Sequence, residues 1–210
     1  MKIYSSIDDA YEDDGKYLRE NGELRTDERG DKLYQIPFYH IEFEDFTSHA
    51  GTVEYLSFPN NTPLNKEALR EYHEQLKDPN EHGFVYTYGN RLRQHFMRWY
   101  DSESATYVDQ LDYIIKKIQH NPSTRRAVAV TLDPAIDDFI DDIPCLQHIQ
   151  LSVYDKKLCM YVLFRSNDIR YAFVPNMYGL MSLHLDLAHK LGYNVGRFYY
   201  TSYNPHWKLK

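Results

Sequence analysis

Ile7, Ala10, Tyr11 and Leu18 recur at the spacing of one helical face, behind Ser6 and ahead of Asn21-Gly22. The pattern predicts a capped N-terminal helix whose acidic residues, from Asp8 to Asp14, form a solvated face. Leu33 to Phe43 is aromatic and branched with partial alternation, which predicts a strand bent near Pro37. Asn65 precedes a stripe of Leu69, Tyr72 and Leu76 and predicts a helix ended by Asp78-Pro79. Val108, Leu111, Ile115 and Ile118 mark another amphipathic helix, stopped by Asn121-Pro122.

The second half changes period. Ala127 to Thr131 and Leu146 to Tyr154 are short apolar or alternating runs, and Asp155-Lys156-Lys157 turns the chain into Leu158 to Phe164, so a hairpin is expected. In its second arm both pleat faces are apolar: Leu158, Met160, Val162 and Phe164 on one, Cys159, Tyr161 and Leu163 on the other. Such a sheet must be covered twice, and in a small domain the second cover is expected from another subunit. A helix from about Met177 to Leu191, apolar nearly all round and followed by Gly192, precedes a final strand at Phe198-Tyr199-Tyr200. No repeat, linker or composition break interrupts the chain, so residues 1–210 are read as a single α+β domain.

Composition narrows the partners. Among 210 residues, 24 Lys+Arg face 31 Asp+Glu, a net charge of −7. The chain lacks the positive field that nucleic acid polymers attract, and any anionic ligand must meet a local cluster. With 42% apolar and 26% charged residues the chain can bury a core. No apolar run approaches a membrane span and the N-terminus lacks a signal-peptide layout, so no membrane partner and a cytoplasmic location are expected. The two cysteines, Cys145 and Cys159, have no metal-ligand spacing, and no metal is expected. Twenty tyrosines suit rings with one wet end, in a site or at an interface.

Candidate chemistry gathers at predicted strand ends. Arg125-Arg126 precedes one strand, Pro144-Cys145 heads another, Arg165-Ser166-Asn167-Asp168 ends its hairpin partner, and Asn176 opens the buried helix. Guanidinium forks with a nearby hydroxyl suit a phosphate, and a cysteine facing them would have its nucleophilic thiolate stabilised. Taken singly, each element has an ordinary reading: an inert core thiol, surface charge, a helix cap. Cys159, mid-strand among apolar neighbours, takes the inert reading.

The combination goes further. PCLQHIQLSV, LFRSND and VPNMYGL strongly resemble the folate-dependent thymidylate synthases, and TYGNRLR, DIPCLQHIQ and FRSND are most similar to the short archaeal-type branch. The spacing agrees: Arg126 lies nineteen residues before Cys145, Asn176 eleven after Arg165, and His206 near the end of the matching region, Phe84 to His206. Tyr88-Gly89-Asn90-Arg91-Leu92-Arg93 resembles the family's Tyr-Gly-x-x-x-Arg segment.

The resemblance implies a mixed sheet flanked by helices on one face, with the other face packed in a homodimer. It also implies methylation of dUMP to dTMP with 5,10-methylenetetrahydrofolate as co-substrate. Cys145 would add to C6 of the uracil, making C5 nucleophilic toward the one-carbon unit. Cys145, Arg165 and Glu54 then form the catalytic set, Glu54 standing in Glu54-Tyr55-Leu56-Ser57-Phe58 as a counterpart of the family glutamate. For the substrate, Arg165 and Ser166 hold the phosphate, joined by Arg125 and Arg126 of the neighbouring subunit. Asn176 reads the uracil edge, Asp168 offers a backbone amide, His206 meets a sugar hydroxyl, and Gln150 matches a glutamine near the nucleophile.

Cys145 and Gln150 are an odd number apart, so a bulge between them is expected. Departures from the family are also plain. Lys208 stands where a tyrosine is expected, and Leu146 follows the nucleophile in place of histidine, with His148 as the candidate replacement. The sequence ends at Lys210, where longer members carry a closing segment, so a different lid is expected. Two alternatives stay open: a dUMP hydroxymethylase on the same scaffold, in which water replaces hydride, and a noncatalytic nucleotide-binding protein.

Overall fold

The hairpin read from Leu146 to Phe164 lies at the centre of a mixed sheet. The computed structural model describes residues 2–50, 53–60, 64–99 and 104–209, without the side chains of residues 48–50, 53–55 and 99. In chain order the elements are β1 (Lys2–Tyr4), α1 (Ile7–Asn21), β2 (Glu23–Thr26), β3 (Lys32–Gln35), β4 (Tyr39–Phe43), β5 (Thr47–Ala50), β6 (Val53–Leu56) and α2 (Lys66–Gln75). They continue with α3 (Tyr88–Arg93), β7 (Met97–Trp99), β8 (Ala105–Tyr107), α4 (Gln110–His120), β9 (Val128–Val130), α5 (Pro134–Asp137), β10 (Leu146–Tyr154) and β11 (Lys157–Phe164). The last four are β12 (Asn167–Asp168), α6 (Phe173–Leu191), β13 (Asn194–Ser202) and β14 (Pro205–Lys208).

The main sheet runs β1-β4-β13-β11-β10-β9, and a second sheet runs β12-β14-β3-β2. Parallel pairs, β1 with β4 and β11 with β13, alternate with antiparallel ones, so the expected mixed α+β sheet is present. One pleat face faces the helices. Leu146, Ile149 and Leu151 of β10 and Leu158, Met160, Val162 and Phe164 of β11 join Met177, Leu180 and Met181 of α6 in one apolar core. The other face carries Gln150, Ser152, Cys159, Tyr161 and Tyr199 along open grooves. There the cross-strand pair Tyr161 and Tyr199 stacks with ring centroids 4.5 Å apart.

The hairpin turn takes two residues, Asp155 and Lys156, both with positive φ (48° and 60°). This is the backbone that matches the twist of the strands it joins. Between Leu146 and His148 the register against β11 slips by one residue, so the bulge expected from the Cys145–Gln150 spacing exists. Gln147 is the extra residue, and it restores Cys145 to the pleat phase of Gln150.

Several predicted boundaries are corrected. Leu33 to Phe43 is two strands in two different sheets rather than one bent strand: the chain breaks at Pro37, which offers no N–H, and at Phe38, with φ 45°. Helix α6 starts at Phe173, about a turn before the expected Met177, because Pro175 falls in the first turn where a missing N–H is harmless. Val108 precedes α4, whose cap is Asp109. Helix α1 is capped by Ser6 as expected, but its acidic face is not wholly solvated. Asp14 is 1% exposed and accepts hydrogen bonds from the phenols of Tyr39 and Tyr4. Gly22, just beyond α1, has φ −73°, and its place is explained by crowding: a Cβ would lie 2.4 Å from the Leu18 carbonyl oxygen.

Candidate active site

A cleft of about 870 Å³ opens where the C-terminal end of β11, the second sheet and the start of α6 meet. Its lining includes Cys145, Arg165, Ser166, Asp168, Asn176 and His206. Residues spread over sixty positions of sequence therefore share one opening.

Cys145 lies immediately before β10, and the amide of Arg165 donates to its carbonyl at 2.9 Å. The Arg165 guanidinium turns back on the same segment, with Nε donating to the Pro144 carbonyl at 3.1 Å and Nη2 to that of Ile143 at 2.8 Å. Burial pushes the Cys145 thiol above the ordinary range, while the Arg165 charge pulls it down. Burial wins, and the arginine charge offsets only part of it. Cys159, near the start of β11, is also raised by burial and lies outside this cleft.

Ser166 and His206 approach each other across two elements. Ser166 Oγ donates to the Asn204 carbonyl at 3.0 Å and lies 3.2 Å from His206 Nδ1, on the strand that β12 pairs with in parallel. Asp168 Oδ1 accepts from the amides of Arg170 and Tyr171, folding the turn that leads into α6. Asn176 is inside that helix, with its amide bonded to Ala172, so its side chain is not the cap of the ordinary reading. Its Oδ1 accepts from the Tyr72 phenol, and its Nδ2 donates to Asn167 Oδ1 at 3.2 Å.

The Tyr88–Arg93 segment acts through structure. Gly89 lets α3 approach α2 so closely that a Cβ would stand 2.1 Å from the Gln75 carbonyl oxygen. Tyr88 Oη then accepts the amide of Leu146, the residue after the cysteine, at 3.2 Å. Behind it, buried Arg91 pairs bidentately with buried Asp137 at 2.7 and 3.0 Å, fastening α3 to the segment that precedes Cys145.

Other expected residues are not in the cleft. Arg125 and Arg126 are exposed ahead of β9, and Arg125 lines a groove on the open sheet face with Gln150, Ser152 and Tyr161. His148 shares the Gln150 pleat phase and is absent from the cleft lining. The backbone of Glu54 pairs with His49 in the β5–β6 hairpin, and its side chain lies outside the described residues. Sequence reasoning missed Tyr72, Asn167, Asn204 and Arg29. Arg29, at the β2–β3 turn, lines the cleft and reaches Asp142 at 3.4 Å. Asn167 stood within Arg-Ser-Asn-Asp, and a fully buried amide on a two-residue strand carried no periodic signal.

Among the described residues no group of three or more His, Cys, Asp or Glu side chains could hold a metal ion. No described helix is long and apolar enough to cross a membrane.

The arrangement defines an α+β protein whose cleft brings a cysteine, an arginine and a fixed amide together, a set suited to an enzyme acting on a small polar molecule. The profile of the family described as thymidylate synthase matches residues 59–207. A "Putative thymidylate synthase" of Methanosarcina barkeri is 36% identical over 203 residues, covering 96% of this chain and 86% of that relative. One from Methanococcoides burtonii is 34% identical over 202 residues with the same coverages, and one from Methanothermobacter thermautotrophicus is 36% identical over 169 residues, 80% of this chain and 68% of the relative. The chain belongs to the thymidylate synthase family, on its archaeal-type branch.

Proposed function

We propose that this enzyme methylates dUMP to dTMP through a covalent bond between Cys145 and C6 of the uracil. The observation that carries the reading is Asn176 in the same cleft as Cys145, with one acceptor and one donor site of its amide left over after its protein contacts. Uracil offers N3–H and O4 side by side, and the free half of the amide answers both.

The residues divide the work. As the Cys145 sulfur bonds to C6, the thiol gives up its proton and the electrons of the C5–C6 double bond move to C5, with O4 taking up charge. Asn176 Nδ2 stabilises that oxygen, and Glu54 is assigned the proton traffic around O4 and C5. Once C5 has bonded the one-carbon unit, C5 loses its proton as that carbon's bond to the folate nitrogen breaks, and hydride from the co-substrate then adds to the exocyclic carbon while the sulfur–C6 bond breaks and the C5–C6 double bond returns. Arg165 and Ser166 hold the phosphate, His206 the sugar hydroxyl, and the Asp168 amide the ring. Arg125, Arg126 and Gln150, on or beside the open sheet face, serve the site of a second copy packed on that face in a homodimer.

The co-substrate, 5,10-methylenetetrahydrofolate, supplies a one-carbon unit and a hydride. The cleft has room beside a nucleotide, and the exposed apolar side chains of Phe84 and Val85, with Tyr86, would hold the folate. No metal is assigned a role.

The test is to incubate the protein with dUMP and methylenetetrahydrofolate, weigh the nucleotide product and follow dihydrofolate absorbance. Equal amounts of dTMP and dihydrofolate are expected. A hydroxymethylated nucleotide without dihydrofolate would identify a hydroxymethylase, and nucleotide binding without turnover a noncatalytic protein.

A further inference from the structure

We infer that base selection is set by the sense of a hydrogen-bond chain, Tyr72–Asn176–Asn167–Tyr200, in which Tyr72 and Asn167 are positioning residues for Asn176. The inference rests on the proposed reading of the cleft as a dUMP site.

An isolated asparagine cannot tell uracil from cytosine, since turning its amide over exchanges donor and acceptor. Here the amide is not isolated. Tyr72, on α2, donates to Asn176 Oδ1, Asn176 Nδ2 donates to Asn167 Oδ1 at 3.2 Å, and Asn167 Nδ2 donates to Tyr200 Oη at 3.1 Å. Asn167 and Tyr200 are buried, at 1% and 0% exposure, so at that end of the chain water does not substitute for a missing partner. Turning Asn176 alone would set its oxygen against the Asn167 oxygen and its N–H₂ against the Tyr72 O–H. The amide turns only if the whole chain reverses, with Tyr200 donating and Tyr72 accepting.

The sense given by these bonds leaves Oδ1 one lone pair and Nδ2 one hydrogen, the complement of N3–H and O4. The reversed sense presents the complement of cytosine, so the chain as a unit chooses the base. Burial holds the Tyr72 phenol protonated far above neutral pH, so it has a proton to give to Asn176 Oδ1. Gly179 makes the contact possible: a Cβ there would lie 2.9 Å from Tyr72 Cδ1 on the facing helix.

Two variants test the idea, Tyr72→Phe, which keeps the ring and removes the donor, and Asn167→Ala, which removes the middle link. Affinity for dUMP and for dCMP is measured by calorimetry on wild type and both variants, with thermal melts to verify folding. The wild type is expected to prefer dUMP, and each variant to lose about fivefold or more of the dCMP-to-dUMP ratio of dissociation constants, the equivalent of one net hydrogen bond. A purely structural role would weaken both nucleotides alike. If the wild type prefers dUMP and both variants keep that ratio, or lose both affinities in parallel, this inference fails while the dUMP reading stands. If the wild type binds neither nucleotide, the functional reading fails and takes the inference with it.

Discussion

Arg165 donates its backbone amide to the carbonyl of Cys145 at 2.9 Å while its guanidinium caps the two carbonyls before it. The same side chain is the larger of two arginine charges, with Arg29, that oppose the burial of the thiol. Alkylation of Cys145 by iodoacetamide should therefore rise with pH through a midpoint above the ordinary thiol range, and Arg165→Ala should move that midpoint higher still. The rate against pH, read by peptide mass spectrometry, checks both. An unchanged or lower midpoint in the variant would show that the guanidinium does not act on the sulfur.

Asp137→Ala should destabilise the protein by about 3 to 5 kcal/mol, since it strands the buried Arg91 without its carboxylate. Urea denaturation gives the figure. The variant should also lose activity beyond its loss of folded protein, because Arg91 and Asp137 seat the helix whose Tyr88 touches Leu146. A loss of stability below about 1 kcal/mol would mean that the pair is not held in the interior as described.

Burial raises the Asp14 carboxyl from 3.8 to about 6, so the folded state holds a proton that the unfolded chain has already released between those values. The sign follows: raising the pH through this window removes stability, on the order of 2 to 3 kcal/mol, from the wild type relative to Asp14→Asn. Unfolding free energies of both proteins from pH 4 to 7 measure the difference. Parallel curves would contradict it.

Legibility followed periodicity. The hairpin, the buried C-terminal helix and Gly192 at its end were readable because apolar spacing and turn chemistry agree locally, and Gly192 takes φ 75° as its position requires. The break at Pro37-Phe38 was not, because alternation continues across it while the two halves join different sheets. Within the site, Cys145, Arg165, Ser166, Asp168, Asn176 and His206 were found through the family resemblance and its spacing, and the structure gathers them. Tyr72 and Asn167 were not, because their work is to orient another side chain, and nothing in local sequence marks a contact between α2, β12 and α6.

The open pleat face, with its stacked Tyr161 and Tyr199, bears on the shared sites of the proposed dimer. Inactive Arg126→Ala and inactive Cys145→Ala chains, mixed under conditions that exchange subunits, should regain activity, because one of the two hybrid sites carries both native residues. Turnover of the mixture against each parent measures it. No recovery in a mixture shown to exchange would place Arg126 outside the partner's site, and a monomer at micromolar concentration would remove the dimer itself.

The most direct test of the covalent reading is to trap the enzyme with 5-fluoro-dUMP and methylenetetrahydrofolate and locate the adduct by peptide mass spectrometry. The account predicts a nucleotide–folate adduct on Cys145 alone, none on Cys159, and none in Cys145→Ala. An adduct on Cys159, or one that survives in Cys145→Ala, would contradict it.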